Sequence, residues 1–139
     1  MVLAEAPTTS TSVLIIDDNE GDLNYWSNTV RNLSSTYTVL NANDCRSGLG
    51  ICRDRTVDCV LLDLDMPESG FHALLELIPD RKRPQIAVVI LTHLVHPVLC
   101  EMAKHNGAQN WLVKQYTSAE ELDIAIRQAV ASVKSAREQ

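Results

Sequence analysis

The chain has no long hydrophobic run. None of its apolar stretches approaches the roughly 18 residues needed to cross a bilayer, and Met1 is not followed by a charged segment and an extended apolar core. Neither a membrane span nor a secretory leader is expected. Basic blocks are missing as well: 12 Lys and Arg are scattered among 18 Asp and Glu, for a formal charge of -6. That balance disfavours direct binding to nucleic acid. Cysteine is sparse and unpatterned, since Cys45, Cys52, Cys59 and Cys100 form no C-x-x-C pair and no dense framework. They are expected to be reduced thiols of a cytoplasmic protein rather than disulfide partners. No internal repeat is present. What remains is a chain of 139 residues, enough for one domain with a sizeable core. Its function should then lie in a local site or a protein contact.

Residues 1–11 carry Pro7 and a run of Ser and Thr without periodicity, and read as a flexible leader. Residues 12–136 read as the domain and 137–139 as a tail. Val13 to Ile16 is too short and too β-branched for a helix and predicts a first strand, ending in Asp17-Asp18. Asn19 to Asp22 then opens a helix in which Leu23, Trp26, Val30 and Leu33 recur at three- and four-residue steps. Tyr37 to Leu40 predicts a second strand, with Asn41 to Asp44 as turn and N-cap to a helix reaching about Arg53. Gly48 and Gly50 weaken that helix by about 1 kcal/mol each relative to alanine.

The third strand is the stretch from Val57 to Leu62, apolar but for Asp58, which stops at Asp63 before the turn formers Pro67, Ser69 and Gly70. A short helix from Gly70 to Ile78 is stopped by Pro79. Ile86 to Leu91 is continuous and β-branched, predicting a strand buried on both faces that ends in Thr92. Pro97 suits the first turn of a helix that runs to Gly107 as its C′ residue. Trp111 to Val113 predicts a fifth strand ending in Lys114. Ser118 and Glu121 fit a capping box, and Leu122, Ile126, Ala129 or Val130, and Val133 mark the core face of the last helix.

Five strands alternating with five helices predict an α/β fold with a doubly wound parallel sheet, because each strand-helix-strand crossover sets its strands parallel. Ligands of such a sheet bind at the carboxyl ends of its strands. Four strands end there in polar groups: Asp17 and Asp18, Asp63, Thr92 and Lys114. Each has an ordinary explanation. Aspartates cap helices and make turns, a Thr can be a strand-end hydroxyl, and a Lys can be solvated. Their joint placement favours a site. Three converging carboxylates call for a cation, and an all-oxygen donor set suits Mg²⁺. Asp63 could then attack a phosphoryl group, with Lys114 as a point charge and Thr92 as a hydrogen-bond donor. His93 and His96 stand three apart, but no third histidine or cysteine pair lies near enough to favour a metal centre of their own.

The set Asp17-Asp18, Asp63, Thr92 and Lys114, in this order and on these strands, resembles the receiver domain of two-component response regulators over roughly Thr11 to Val133. The resemblance implies a flavodoxin-like (βα)5 fold with strand order 2-1-3-4-5. It implies that Asp63 accepts a phosphoryl group from a histidine kinase or phosphotransfer protein. Asp18, Asp63 and the backbone carbonyl of Asp65 would bind Mg²⁺, with Asp17 acting chiefly through a bound water. Thr92 would move toward the phosphoryl group and Trp111 would turn inward as the switch aromatic. The face formed by the fourth helix, fifth strand and fifth helix would carry the output, to an unknown partner or domain or through homodimerisation. In that case the protein is a phosphoacceptor switch that assists its own phosphorylation and dephosphorylation rather than an enzyme.

Two positions depart from the family pattern. Gln115 follows the lysine where the family usually has a cis proline, and a non-proline cis bond costs about 2.5 to 4 kcal/mol. His93 follows the threonine where the family is generally small, which would alter phosphoryl lifetime. These departures motivate an alternative, a receiver-like interaction module that works without phosphorylation. A third reading, a metal-dependent phosphatase with Asp63 as nucleophile and Asp65 as second acid in a haloacid-dehalogenase-like D-x-D, has no room for a substrate cap.

Overall fold

The computed structural model describes residues 10–66 and 70–138. Its elements alternate strictly. They are β1 (Thr11–Ile16), α1 (Glu20–Leu33), β2 (Tyr37–Ala42), α2 (Cys45–Asp54), β3 (Cys59–Leu62), α3 (Gly70–Leu77), β4 (Ala87–Thr92), α4 (Pro97–His105), β5 (Asn110–Val113) and α5 (Ala119–Arg137). The five strands form one parallel sheet in the order β2-β1-β3-β4-β5. The expected fold and strand order are therefore present. Most of the leader and the turn formers Pro67 and Ser69 lie outside the described residues, although Thr11 already pairs with Tyr37. Likewise α5 extends to Arg137, past the helical periodicity that ends at Val133.

The inner strands β1, β3 and β4 are buried because both of their faces are covered, and their alternation sorts the side chains between two cores. Val13, Ile15, Cys59, Leu61, Val89 and Leu91 pack with Leu23, Trp26 and Val30 of α1 and with Leu122, Ile126 and Val133 of α5. Leu14, Ile16, Val60, Leu62, Val88 and Ile90 face the other way, toward Ala73 and Leu74 of α3, Ala103 of α4 and Cys45 at the start of α2. The four cysteines are thiols, and full burial pushes the Cys59 thiol up to about 12.

The helix ends follow local chemistry. Asn19, Asp44 and Ser118 cap α1, α2 and α5 through their side-chain oxygens, and Ser118 with Glu121 completes a capping box. His96 caps α4 by accepting from Leu99 N, ahead of Pro97 in the first turn, so it serves the helix. Gly107 has φ +104, the left-handed conformation that glycine tolerates at a helix C-terminus. Gly48 has a different reason to be glycine. A Cβ there would lie 2.4 Å from Cδ1 of Ile16, the last residue of β1. The residue that costs α2 helix propensity is what lets α2 close onto the sheet.

Candidate functional site

The parallel ladder continues one residue past the strands. Asp17 N donates to Ala42 O and Asp63 N donates to Ile16 O, so both aspartates are carried onto the same edge where the order switches between β1 and β3. Thr92 ends β4 opposite Val113, which sets Lys114 one step beyond it. Asp17, Asp63, Thr92 and Lys114 are the buried polar tips of four adjacent strands.

Three of these tips share one local motif. The backbone N–H of Asn19 donates to Asp17 Oδ1 at 2.9 Å, that of Asp65 to Asp63 Oδ1 at 2.8 Å, and that of Leu94 to Thr92 Oγ1 at 3.3 Å. Each is a turn in which a side-chain oxygen binds the N–H two residues on. For the aspartates this fixes Oδ1 and leaves Oδ2 aimed across the edge. There it meets Lys114, whose Nζ donates to Asp17 Oδ2 at 2.6 Å, to Asp63 Oδ2 at 2.8 Å and to Asp22 Oδ2 at 2.9 Å. An ammonium has three N–H donors, and all three are engaged.

The electrostatics follow from burial and from these bonds. Burial alone would push the Lys114 ammonium toward neutrality, but the hydrogen bonds to Asp17, Asp63 and Asp22 outweigh it and hold the group above its ordinary range. Burial raises Asp17 from 3.8, and its bonds to Lys114 and Asn19 offset only part of that. Asp22 is less enclosed, and there the bonds to Lys114 and His93 overcome the smaller burial effect and lower its pKa.

Asp22 was not singled out by sequence, where it reads as one more acid in the first turn of α1, favourable to the helix dipole. Its role comes from the tertiary fold. His93 and Gln115 are also joined: His93 Nδ1 lies 2.8 Å from Gln115 Oε1, Gln115 Nε2 donates to the His93 carbonyl at 3.1 Å, and His93 Nε2 lies 3.0 Å from Asp22 Oδ2. The residues after the β4 and β5 tips thus form a bridge that ends on the partner of Lys114. No cis peptide bond occurs among the described residues, and Lys114–Tyr116 form a 3-10 turn.

The other expected site residues sit further out. Asp18 and Asp65 are exposed at the rim. Trp111 is half-buried, and its Nε1 donates to the Leu94 carbonyl at 3.2 Å. Among the described residues no three His, Cys, Asp or Glu side chains are gathered closely enough to hold a metal by themselves. The donor chemistry nevertheless fits Mg²⁺. Three carboxylates surround one ammonium, which leaves excess negative charge, and Mg²⁺ binds through one or two carboxylates while keeping its waters.

A family model described as the response regulator receiver domain matches residues 13–127. Protein PilH of Pseudomonas aeruginosa is 29% identical over 103 residues, which is 73% of this chain and 84% of that protein. The fold superposes on a response regulator receiver domain protein from Clostridium thermocellum with a TM-score of 0.78 at 30% identity, covering 89% of this chain and 97% of that one. It also matches the chemotaxis response regulator CheY4 of Vibrio cholerae, with a TM-score of 0.73 at 25% identity over 87% of this chain and 99% of that one.

Proposed function

Because the chain belongs to the response regulator receiver domain family, we propose that it is a phosphoacceptor switch in which Asp63 takes a phosphoryl group from a histidine kinase or phosphotransfer protein. The observation that carries this reading is Lys114 Nζ at the centre of three carboxylates, 2.8 Å from Asp63. An Asp63 carboxylate oxygen attacks phosphorus. A P–O bond forms as the bond from phosphorus to the donor's nitrogen or acyl oxygen breaks, and the electron pair leaves with the donor. Lys114 stays protonated and donates to the phosphoryl oxygens, and the Thr92 hydroxyl supplies a further donor. Asp17, Asp18 and Asp63 with the Asp65 carbonyl would hold Mg²⁺, which supplies neutralisation of charge on the phosphoryl oxygens.

The output is assigned to the face of α4, β5 and α5. Val98 and Met102 of α4 and Tyr116 after β5 are large apolar side chains left exposed there, which suits a protein partner or a second copy. No helix among the described residues is long and apolar enough to cross a membrane, and the reading places the protein in the cytoplasm with its kinase. A second reading, an interaction module that does not use phosphorylation, is favoured by the His93–Gln115 bridge over the acid site. Incubation with acetyl phosphate and Mg²⁺, followed by intact mass measurement, separates the two. Wild type should gain one phosphoryl group and Asp63→Ala none. Equal labelling of both proteins, or labelling of neither, would favour the second reading.

A further inference from the structure

We infer that Asp22 is a stand-in for the phosphoryl group: it occupies a donor of Lys114 in the unphosphorylated protein and must yield it when a phosphoryl oxygen arrives on Asp63, which releases His93 and Gln115. The inference rests on the phosphoacceptor reading and adds to it a residue and a route of transmission.

Lys114 has no donor left over. Its three N–H groups are matched by three carboxylates, so a new anionic acceptor must displace one of them. The three are unequal. Asp17 and Asp63 each have the second oxygen tied to a backbone N–H, and their side chains are 2% and 5% exposed. Pulling Asp17 from Lys114 would strand a carboxylate inside the protein, and Asp63 stays beside Lys114 as the residue that carries the arriving group. The Asp22 side chain is 28% exposed, on the first turn of a helix, and turning away from Lys114 takes it into water. Asp22 is therefore the partner that leaves at least cost.

Its departure has a consequence built into the hydrogen bonds. Asp22 Oδ2 contacts both Lys114 Nζ and His93 Nε2, so one oxygen serves both groups. The other His93 nitrogen faces Gln115 Oε1, and the Gln115 amide is oriented by its donation to the His93 carbonyl. Both ring nitrogens are thus engaged, one with Asp22 and one with Gln115. Removing Asp22 takes away the anionic half of that clamp. Phosphorylation is thereby passed to the β4–α4 loop and to the turn after β5 by a route that does not pass through the Thr92 hydroxyl.

The test is a titration with beryllofluoride, a phosphoryl mimic, at fixed Mg²⁺, with the His93 ring signals followed by NMR. Wild type, Asp22→Asn, Asp22→Ala and Glu20→Gln are compared, the last being a control that removes an exposed charge from the same helical turn. Both Asp22 variants should bind the mimic about tenfold more tightly, as expected when one charge-assisted competitor is removed, while Glu20→Gln changes affinity less than twofold. In wild type the His93 signals should move as the mimic binds. In Asp22→Ala they should start near the displaced position and move little. Unchanged affinity in both variants, an equal gain in Glu20→Gln, or His93 signals that stay still in wild type as the mimic binds would overturn the inference while leaving Asp63 as phosphoacceptor. Failure of wild type to bind the mimic at all would overturn both. If neither Asp22 variant folds, Thr92→Ala replaces them: His93 signals that still move with the mimic in that background support the route through Asp22, and signals that stay still there overturn it.

Discussion

Thr92 and Trp111 hold opposite ends of one residue: the Leu94 N–H donates to Thr92 Oγ1 at 3.3 Å, and the Leu94 carbonyl accepts from Trp111 Nε1 at 3.2 Å. A Thr92 hydroxyl drawn toward a phosphoryl group must release the Leu94 N–H, and the carbonyl that anchors the indole loses its footing. The backbone of Leu94 thus joins the tip of β4 to the indole of β5.

That linkage is measurable by fluorescence. Trp26 is the other tryptophan and is buried against the sheet, so Trp26→Phe leaves Trp111 as the sole indole reporter. Beryllofluoride with Mg²⁺ should shift the Trp111 emission in that background. Adding Thr92→Ala should remove most of the shift; a shift of full size would mean that the indole responds by another path.

Charge at the strand tips predicts an asymmetry in stability. Lys114→Met leaves Asp17 and Asp63 buried without a cation and should cost about 3 to 5 kcal/mol. Asp17→Asn removes one of three carboxylates, at a site where burial already raises the pKa of the acid above 3.8. Ionised Asp17 therefore opposes folding increasingly as pH rises through its raised pKa, and Asp17→Asn should be within about 1 kcal/mol of wild type at neutral pH, or above it. Urea unfolding of the three proteins checks this, and an equal loss in both variants contradicts it.

Asp22 carries the opposite sign. Burial works against its charge, but hydrogen bonds to Lys114 and His93 lower its pKa below 3.8. Its contribution is present above the unfolded value and lost as pH falls through the folded one. Asp22→Asn should cost about 1 kcal/mol at neutral pH, and the gap to wild type should close only below about pH 4. A gap that closes at higher pH would mean that Asp22 is not the group responsible.

Gly48→Ala sets helix propensity against packing. The exposed-helix expectation is a gain of about 1 kcal/mol, whereas the 2.4 Å approach to Ile16 Cδ1 predicts a net loss of about 1 to 3 kcal/mol. Ile16→Val deletes that carbon. In a double-mutant cycle by denaturant unfolding, Gly48→Ala should cost less in the Val background, with a coupling of about 0.5 to 3 kcal/mol.

Much of this site was legible in the residues alone. Apolar runs ending in Asp17, Asp63, Thr92 and Lys114 placed four side chains on one edge, because a parallel sheet aligns the carboxyl ends of its strands. Other parts required the tertiary structure. Nothing local distinguishes Asp22 from a helix-starting acid such as Glu20, and only the closure of α1 over the sheet edge brings it to Lys114. His93 and Gln115 were each conspicuous as departures, yet their mutual bond depends on the Thr92–Val113 register that makes them neighbours. Strand ends shifted for a similar reason: Asn41 reads as a turn residue, but pairing with Ile15 keeps it within β2.

Gly48 lies on the helical layer behind the sheet and takes no part in the chemistry, yet its missing side chain seats Ile16, and the next residue is Asp17. The depth at which the acid edge sits is therefore adjustable from the back of the molecule. A methyl group there would press on Ile16, the residue before the aspartate that bonds Lys114. The placement of the strand edge and the packing of α2 are, in that sense, one variable.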